Sequence, residues 1–156
     1  MCGIAGFIDW SKKSSSLELK EMTNILHHRG PDGGAVELFQ NEDYLIGFGH
    51  RRLAIIDISE NGNQPMNYKH FWIVFNGEIY NYKEVKSELI DLGHTFETSS
   101  DTEMILHAYQ QWGGECLHKF IGMFAIVIFD QVKQQVFIAR DRAGVKPLFY
   151  YFKEDI

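Results

Sequence analysis

The chain has 156 residues, 45% hydrophobic and 14% aromatic, which suits one domain with a substantial core and argues against a disordered chain. A net charge of −6 argues against non-specific nucleic-acid binding. The longest apolar run, residues 123–129, is too short to span a bilayer, and no basic-then-apolar leader opens the chain.

Read in chain order, residues 3–9 form a short apolar strand. A helix follows over 17–28, with Leu19, Met22, Ile25 and Leu26 on one face and Ser15/Glu18 spaced as a capping box. Strands at 36–40 and 44–48 flank Asn41-Glu42-Asp43, a hairpin signal, and a β-rich run covers 71–75. The second helix spans 82–92, with Asn81 and Glu84 at capping spacing, a stripe of Val85, Leu89 and Leu92, and Gly93 as its stop. The third spans 102–112, opened by Ser100/Glu103 and broken by Gly113-Gly114. A second hairpin joins 123–129 to 136–139, and 148–152 reads as a last strand. Hairpin-joined strands with helices between them predict an α+β layered fold, with the doubly apolar run 123–129 in a covered sheet.

Several residues carry chemistry, each beside a plainer reading. Cys2 follows the start methionine. Removal of Met1 would leave a thiol and a free α-amine on one residue, the amine with a reference pKa of about 7.7–8.0 and so able to serve the thiol as base; otherwise Cys2 is an ordinary thiol near a chain end. Asn76-Gly77 is a turn signal, or else an oxyanion hole in which a side-chain amide and an unobstructed backbone N–H receive a developing negative charge. Arg51-Arg52 is a solvated pair, or a bidentate grip on a carboxylate. Asp101 favours a helix dipole, or receives a substrate ammonium. The glycines near Gly30-Pro31-Asp32-Gly33 match no phosphate-binding motif. Seven histidines and two cysteines, Cys2 and Cys116, give neither zinc spacing nor a disulfide framework, so no metal is expected.

Together these stretches resemble the class II glutamine amidotransferases, which are N-terminal-nucleophile hydrolases, and within them the asparagine-synthetase-like branch. The matching residues are Met-Cys-Gly-Ile-Ala-Gly at 1–6, His-Arg-Gly-Pro-Asp-Gly at 28–33 and His-Arg-Arg-Leu-Ala-Ile-Ile-Asp at 50–57. They continue with Asn-Gln-Pro-Met at 63–66, Phe-Asn-Gly-Glu-Ile-Tyr-Asn at 75–81, Ser-Asp-Thr-Glu at 100–103 and Ala-Arg-Asp-Arg-Ala-Gly-Val-Lys-Pro-Leu-Phe-Tyr at 139–150. The resemblance implies a four-layer αββα sandwich of mainly antiparallel sheets and hydrolysis of L-glutamine to glutamate and ammonia. It makes Cys2 the nucleophile, with Gly3 letting the backbone approach the site, and Asn76 and Gly77 the oxyanion hole. Arg52 becomes the holder of the α-carboxylate, and Asp101, with Gly77 and Glu78, the receiver of the α-ammonium. Leu53, Ile55 and Ile56 become pocket lining, and Asn63-Gln64-Pro65 part of a mobile loop.

The implied partner is a synthetase domain or subunit that accepts the ammonia. ATP and Mg are expected only there, since no Ser-Gly-Gly-x-Asp-Ser loop is present and the resembled domain runs on past residue 152. The expectation is therefore a cytoplasmic glutaminase domain over 1–156 that lacks its last strands, with no cofactor of its own, no nucleic acid and no membrane partner, and with homo-oligomerisation left open. Two other readings stand beside it. One is a silent glutamine-binding or docking module, and the other an N-terminal cysteine hydrolase of a different amide.

Overall fold

The computed structural model describes residues 2–53 and 62–153. In chain order they form β1 (Gly3–Asp9), α1 (Ser16–Ile25), β2 (Gly33–Gln40), β3 (Leu45–Arg52), β4 (Met66–Tyr68), β5 (Phe71–Ile79), α2 (Tyr82–Asp91), α3 (Asp101–Trp112), β6 (Gly122–Asp130) and β7 (Gln135–Arg140). Short 3₁₀ segments follow α1 at Leu26–Arg29 and α3 at Gly113–Lys119. The strands make two antiparallel sheets, β1-β3-β2 and β4-β5-β6-β7.

The layers follow from which side of each strand is apolar. Ile4, Ile8, Phe39, Ile46 and Phe48 of the first sheet meet Trp72, Val74, Val127, Phe129 and Val136 of the second. Phe39 bridges them, its ring centroid 5.2 Å from Trp72 and 5.1 Å from Phe129. On the outer face of the second sheet, Ile73, Phe75 and Ile79 pack with Val85 and Leu89 of α2 and Met104 and Ile105 of α3. Leu19 and Thr23 bury α1 against the outer face of the first, where Leu19 abuts Gly47 and Thr23 abuts Gly49. The order is helix, sheet, sheet, helices, the expected αββα sandwich. Strand β6 is central and covered on both faces, which is why it is apolar from Met123 to Phe129.

Local signals set the helix ends. Ser15 and Glu18 form the full capping box: the Glu18 N–H donates to Ser15 Oγ at 3.3 Å and the Ser15 N–H to Glu18 Oε2 at 2.7 Å. At α3, Ser100 Oγ accepts from the Glu103 N–H at 3.2 Å. The Glu103 carboxylate instead turns to the N–H groups of Glu97 and Thr98, pinning the loop that enters the helix. Gly93 and Gly113, with φ of +92° and +58°, follow α2 and α3.

Four expectations are corrected. Asn81 does not cap α2 through its side chain, which bridges to the Lys119 carbonyl and the Ile121 N–H. Met22, Ile25 and Leu92 lie on exposed faces, because Leu19 with Thr23 and Val85 with Leu89 already cover the contact stripes. Asn76-Gly77 is no turn but lies inside β5. A Cβ on Gly77 would sit 2.2 Å from the Met123 carbonyl oxygen, so the glycine serves close approach of β5 to β6. Residues 148–152 form no strand; no neighbouring strand pairs with them among the described residues, and Phe149 and Tyr150 are 90% and 89% exposed.

Candidate functional site

Successive side chains of a strand alternate between faces. The face that carries Ile8, Ile4, Ile46, Phe48, Trp72 and Val74 therefore also carries Cys2, His50, Arg52, Asn76 and Glu78. Register sorts these positions into rows. Across the first sheet, Ile8, Ile46 and Phe39 align, then Ile4, His50 and Ala35, then Arg52 and Gly33 at the end where Cys2 enters β1. Across the second, Trp72 pairs with Phe129, Val74 with Val127, Asn76 with Ala125 and Glu78 with Met123. The layer between the sheets is thus filled by apolar side chains at one end and becomes polar at the other.

The polar end is where Cys2 is held. The Leu53 N–H donates to its Sγ at 3.4 Å, and the thiol reaches the Leu53 carbonyl at 3.7 Å. Arg29 Nε donates to the Cys2 carbonyl at 3.2 Å, tying the chain end to the turn after α1. Leu53 was expected as pocket lining; its backbone meets the thiol itself. Gly3 serves a different purpose from the one expected. A Cβ there would strike Leu26 Cβ at 2.9 Å, so its missing side chain lets β1 pack on the turn after α1, on the face of the strand opposite the inter-sheet layer.

The outer edge of β5 forms a second wall. Even-numbered residues of β5 bond to β6, so odd-numbered ones turn their N–H groups the other way. Strand β4 covers that edge only as far as Ile73. Beyond it, the Phe75 N–H donates to Gln64 Oε1 at 2.6 Å and the Ile79 N–H to Asp101 Oδ2 at 3.2 Å. Between them the Gly77 N–H points to the same side, directly after the Asn76 side chain. Gln64 is 6% exposed and hydrogen-bonded at both ends, so the expected mobile loop is anchored at this residue.

The charges are arranged around this edge. Asp101 opens α3 and is buried; burial raises its pKa to about 6, opposed by the Ile79 N–H and the first amides of the helix and reinforced by nearby Glu78. The two carboxylates make a site suited to a cation. Arg52 extends from the end of β3, and its Nη1 donates to Asn63 Oδ1 at 2.9 Å. Ile55 and Ile56 lie outside the described residues, as does Met1.

Sequence reasoning missed His50. It is 1% exposed, and neither ring nitrogen has a hydrogen-bond partner of standard geometry among the described residues. Burial lowers its pKa to about 4, the Phe75 backbone opposing this and the Arg52 guanidinium adding to it. Its signals were its place at the head of the 50–57 stretch and its alternation with Phe48 and Arg52, and neither names a neighbour. Among the described residues no cluster of histidine, cysteine and carboxylates is placed to hold a metal ion, and no helix is long and apolar enough to cross a membrane.

A family model described as a glutamine amidotransferase domain matches residues 1–156. The chain belongs to this family. Among curated relatives, a putative glutamine-hydrolysing asparagine synthetase of Methanocaldococcus jannaschii is 42% identical over 97% of this chain and 32% of its own. A glutamine-hydrolysing asparagine synthetase of Bacillus subtilis is 43% identical over 96% of this chain and 25% of its own. This amidotransferase domain therefore spans about a quarter to a third of the length of these two relatives. Its fold is also that of the glutamine phosphoribosylpyrophosphate amidotransferase of B. subtilis, with a TM-score of 0.66 at 19% identity over 91% of this chain and 38% of that one.

Proposed function

We propose that this domain hydrolyses L-glutamine to glutamate and ammonia through a thioester on Cys2, with Met1 removed. The observation that carries the reading is the polar end of the inter-sheet layer. A thiol, the Asn76 amide, a guanidinium and the Glu78 carboxylate share it, and the Gly77 N–H and the Asp101 carboxylate are presented at the adjoining open edge of β5.

Free glutamine carries one carboxylate and one ammonium at its far end. Arg52 takes the carboxylate; Asp101, with Gly77 and Glu78, takes the ammonium; this measures the length of the substrate and brings its side-chain amide to the sulfur. Leu53 lines the pocket, with Ile55 and Ile56 as its proposed continuation. The α-amine of Cys2 accepts the thiol proton as the sulfur attacks the amide carbon. The tetrahedral oxyanion is received by Asn76 Nδ2 and the Gly77 N–H, a type of donor worth roughly 2.7–4 kcal/mol in a comparable hydrolase. The carbon–nitrogen bond breaks as the amine returns the proton to departing ammonia. Water then attacks the thioester, releasing glutamate and the thiol.

The ammonia acceptor is proposed to be a synthetase module. The relatives named asparagine synthetases favour one of that kind. Both cysteines are free, which fits a reducing, cytoplasmic setting. Intact mass before and after treatment with diazo-oxo-norleucine tests the reading. Loss of methionine and a single adduct that disappears in Cys2→Ala are expected. Retained methionine with no adduct would instead favour a silent glutamine-binding module.

A further inference from the structure

Gln64 stands where a strand is missing. Strand β4 ends its pairing at Ile73, and the next outward amide of β5, that of Phe75, is taken by Gln64 Oε1 at 2.6 Å. The other end of the same side chain, Nε2, donates to Thr102 Oγ1 at 3.2 Å. Gln64 and Thr102 are both buried, so this is an interior bridge from β5 to the first turn of α3. That turn also supplies Asp101, whose carboxylate holds the Ile79 N–H. The strand is therefore fixed to one helix turn at Phe75 and at Ile79, on either side of Gly77.

We infer that Gln64 is a positioning residue for the Asn76–Gly77 donor pair. By standing in for a ladder partner at Phe75, it sets the direction of the Asn76 side chain and the Gly77 N–H that follow it. An amide side chain suits the task because it offers an acceptor to the strand and a donor to the helix at once. A carboxylic acid could do the same; a thioether of equal length could do neither. The inference rests on the glutaminase reading, and Gln64 acts on catalysis through the strand, without touching substrate.

The test compares Gln64→Met and Gln64→Glu with wild type by steady-state glutamine hydrolysis and by amide hydrogen exchange. Gln64→Met is expected to lower kcat by about 10- to 100-fold with KM held within about threefold, since misplacement acts on the transition state while Arg52 and Asp101 still hold the α-carboxylate and α-ammonium at the far end of glutamine. Exchange of the Phe75 amide should quicken while that of Val74 and Asn76, bonded to β6, holds. Gln64→Glu should recover most of the lost kcat. A folded Gln64→Met chain with wild-type kcat overturns the inference, as does a loss carried wholly by KM. Should Gln64→Met fail to fold, Thr102→Val removes only the far anchor, and the same comparison applies: a smaller fall in kcat supports the inference and an unchanged kcat overturns it. If the wild-type chain releases no ammonia from glutamine, the glutaminase reading itself has failed; wild-type turnover alongside an unaffected variant fails the inference alone.

Discussion

The two ends of the inter-sheet layer are built from the same strands in the same register, yet they do opposite things. Near Phe39, Trp72 and Phe129 the facing positions are large and apolar, and the sheets are locked together. Two to three rows along, the same positions are Cys2, His50, Arg52, Asn76 and Glu78. The strands hold these polar groups in place because their other ends are already packed. One end supplies rigidity; the other holds the polar groups among which glutamine is proposed to react.

The sharpest way to break this division is at the thiol. Cys2→Ala should abolish glutamine hydrolysis, a loss of roughly 10⁴-fold or more, with little change in melting temperature; ammonia release and a thermal melt decide it. Asn76→Ala comes next, with kcat expected to fall by about 10²–10³-fold and KM much less affected. At the apolar end the pattern should invert. Phe129→Ala should cost about 3–5 kcal/mol of stability by denaturant unfolding, while the folded fraction still takes the Cys2 adduct. A Phe129→Ala variant that is stable but does not react would show that the two ends are not separable.

Two pH measurements sharpen the comparison. With turnover removed by Cys2→Ala, glutamine binding should weaken as pH falls below about 6, where Asp101 takes up a proton, by about tenfold per pH unit in a calorimetric titration. The smallest effect concerns His50. Unfolded, it gains a proton near 6.5; folded, only at about 4, so it costs stability as pH drops across that window. Asp101 has the opposite sign, binding its proton near 6 when folded and 3.8 when unfolded, and so adds stability over part of the same range. His50→Leu should leave melting temperature less sensitive to acidification than in wild type.

Much of this was legible in the sequence because it is local. The capping box at Ser15/Glu18, the two hairpins and the breaks at Gly93 and Gly113 depend on residues a few positions apart. Cys2, Asn76, Gly77 and Asp101 were singled out from motifs as candidate site residues. What was hidden depends on pairing between distant segments. Asn-Gly suggests a turn until Met123 is known to lie beside it. Gln64 reads as a loop residue until β4 is seen to stop at Ile73. The run at 148–152 has every local mark of a strand, and a strand exists only where another edge meets it.

The close approach at Gly77 bears on how relatives of this domain can be read. Its backbone sits against the Met123 carbonyl with no room for a side chain, so the sheet requires glycine there whether or not any reaction occurs. A descendant that had lost its chemistry would still be held to that residue by folding. Asn76 carries the side chain proposed to receive the oxyanion, so its retention or loss, and not that of Gly77, is the residue-level test of that proposal.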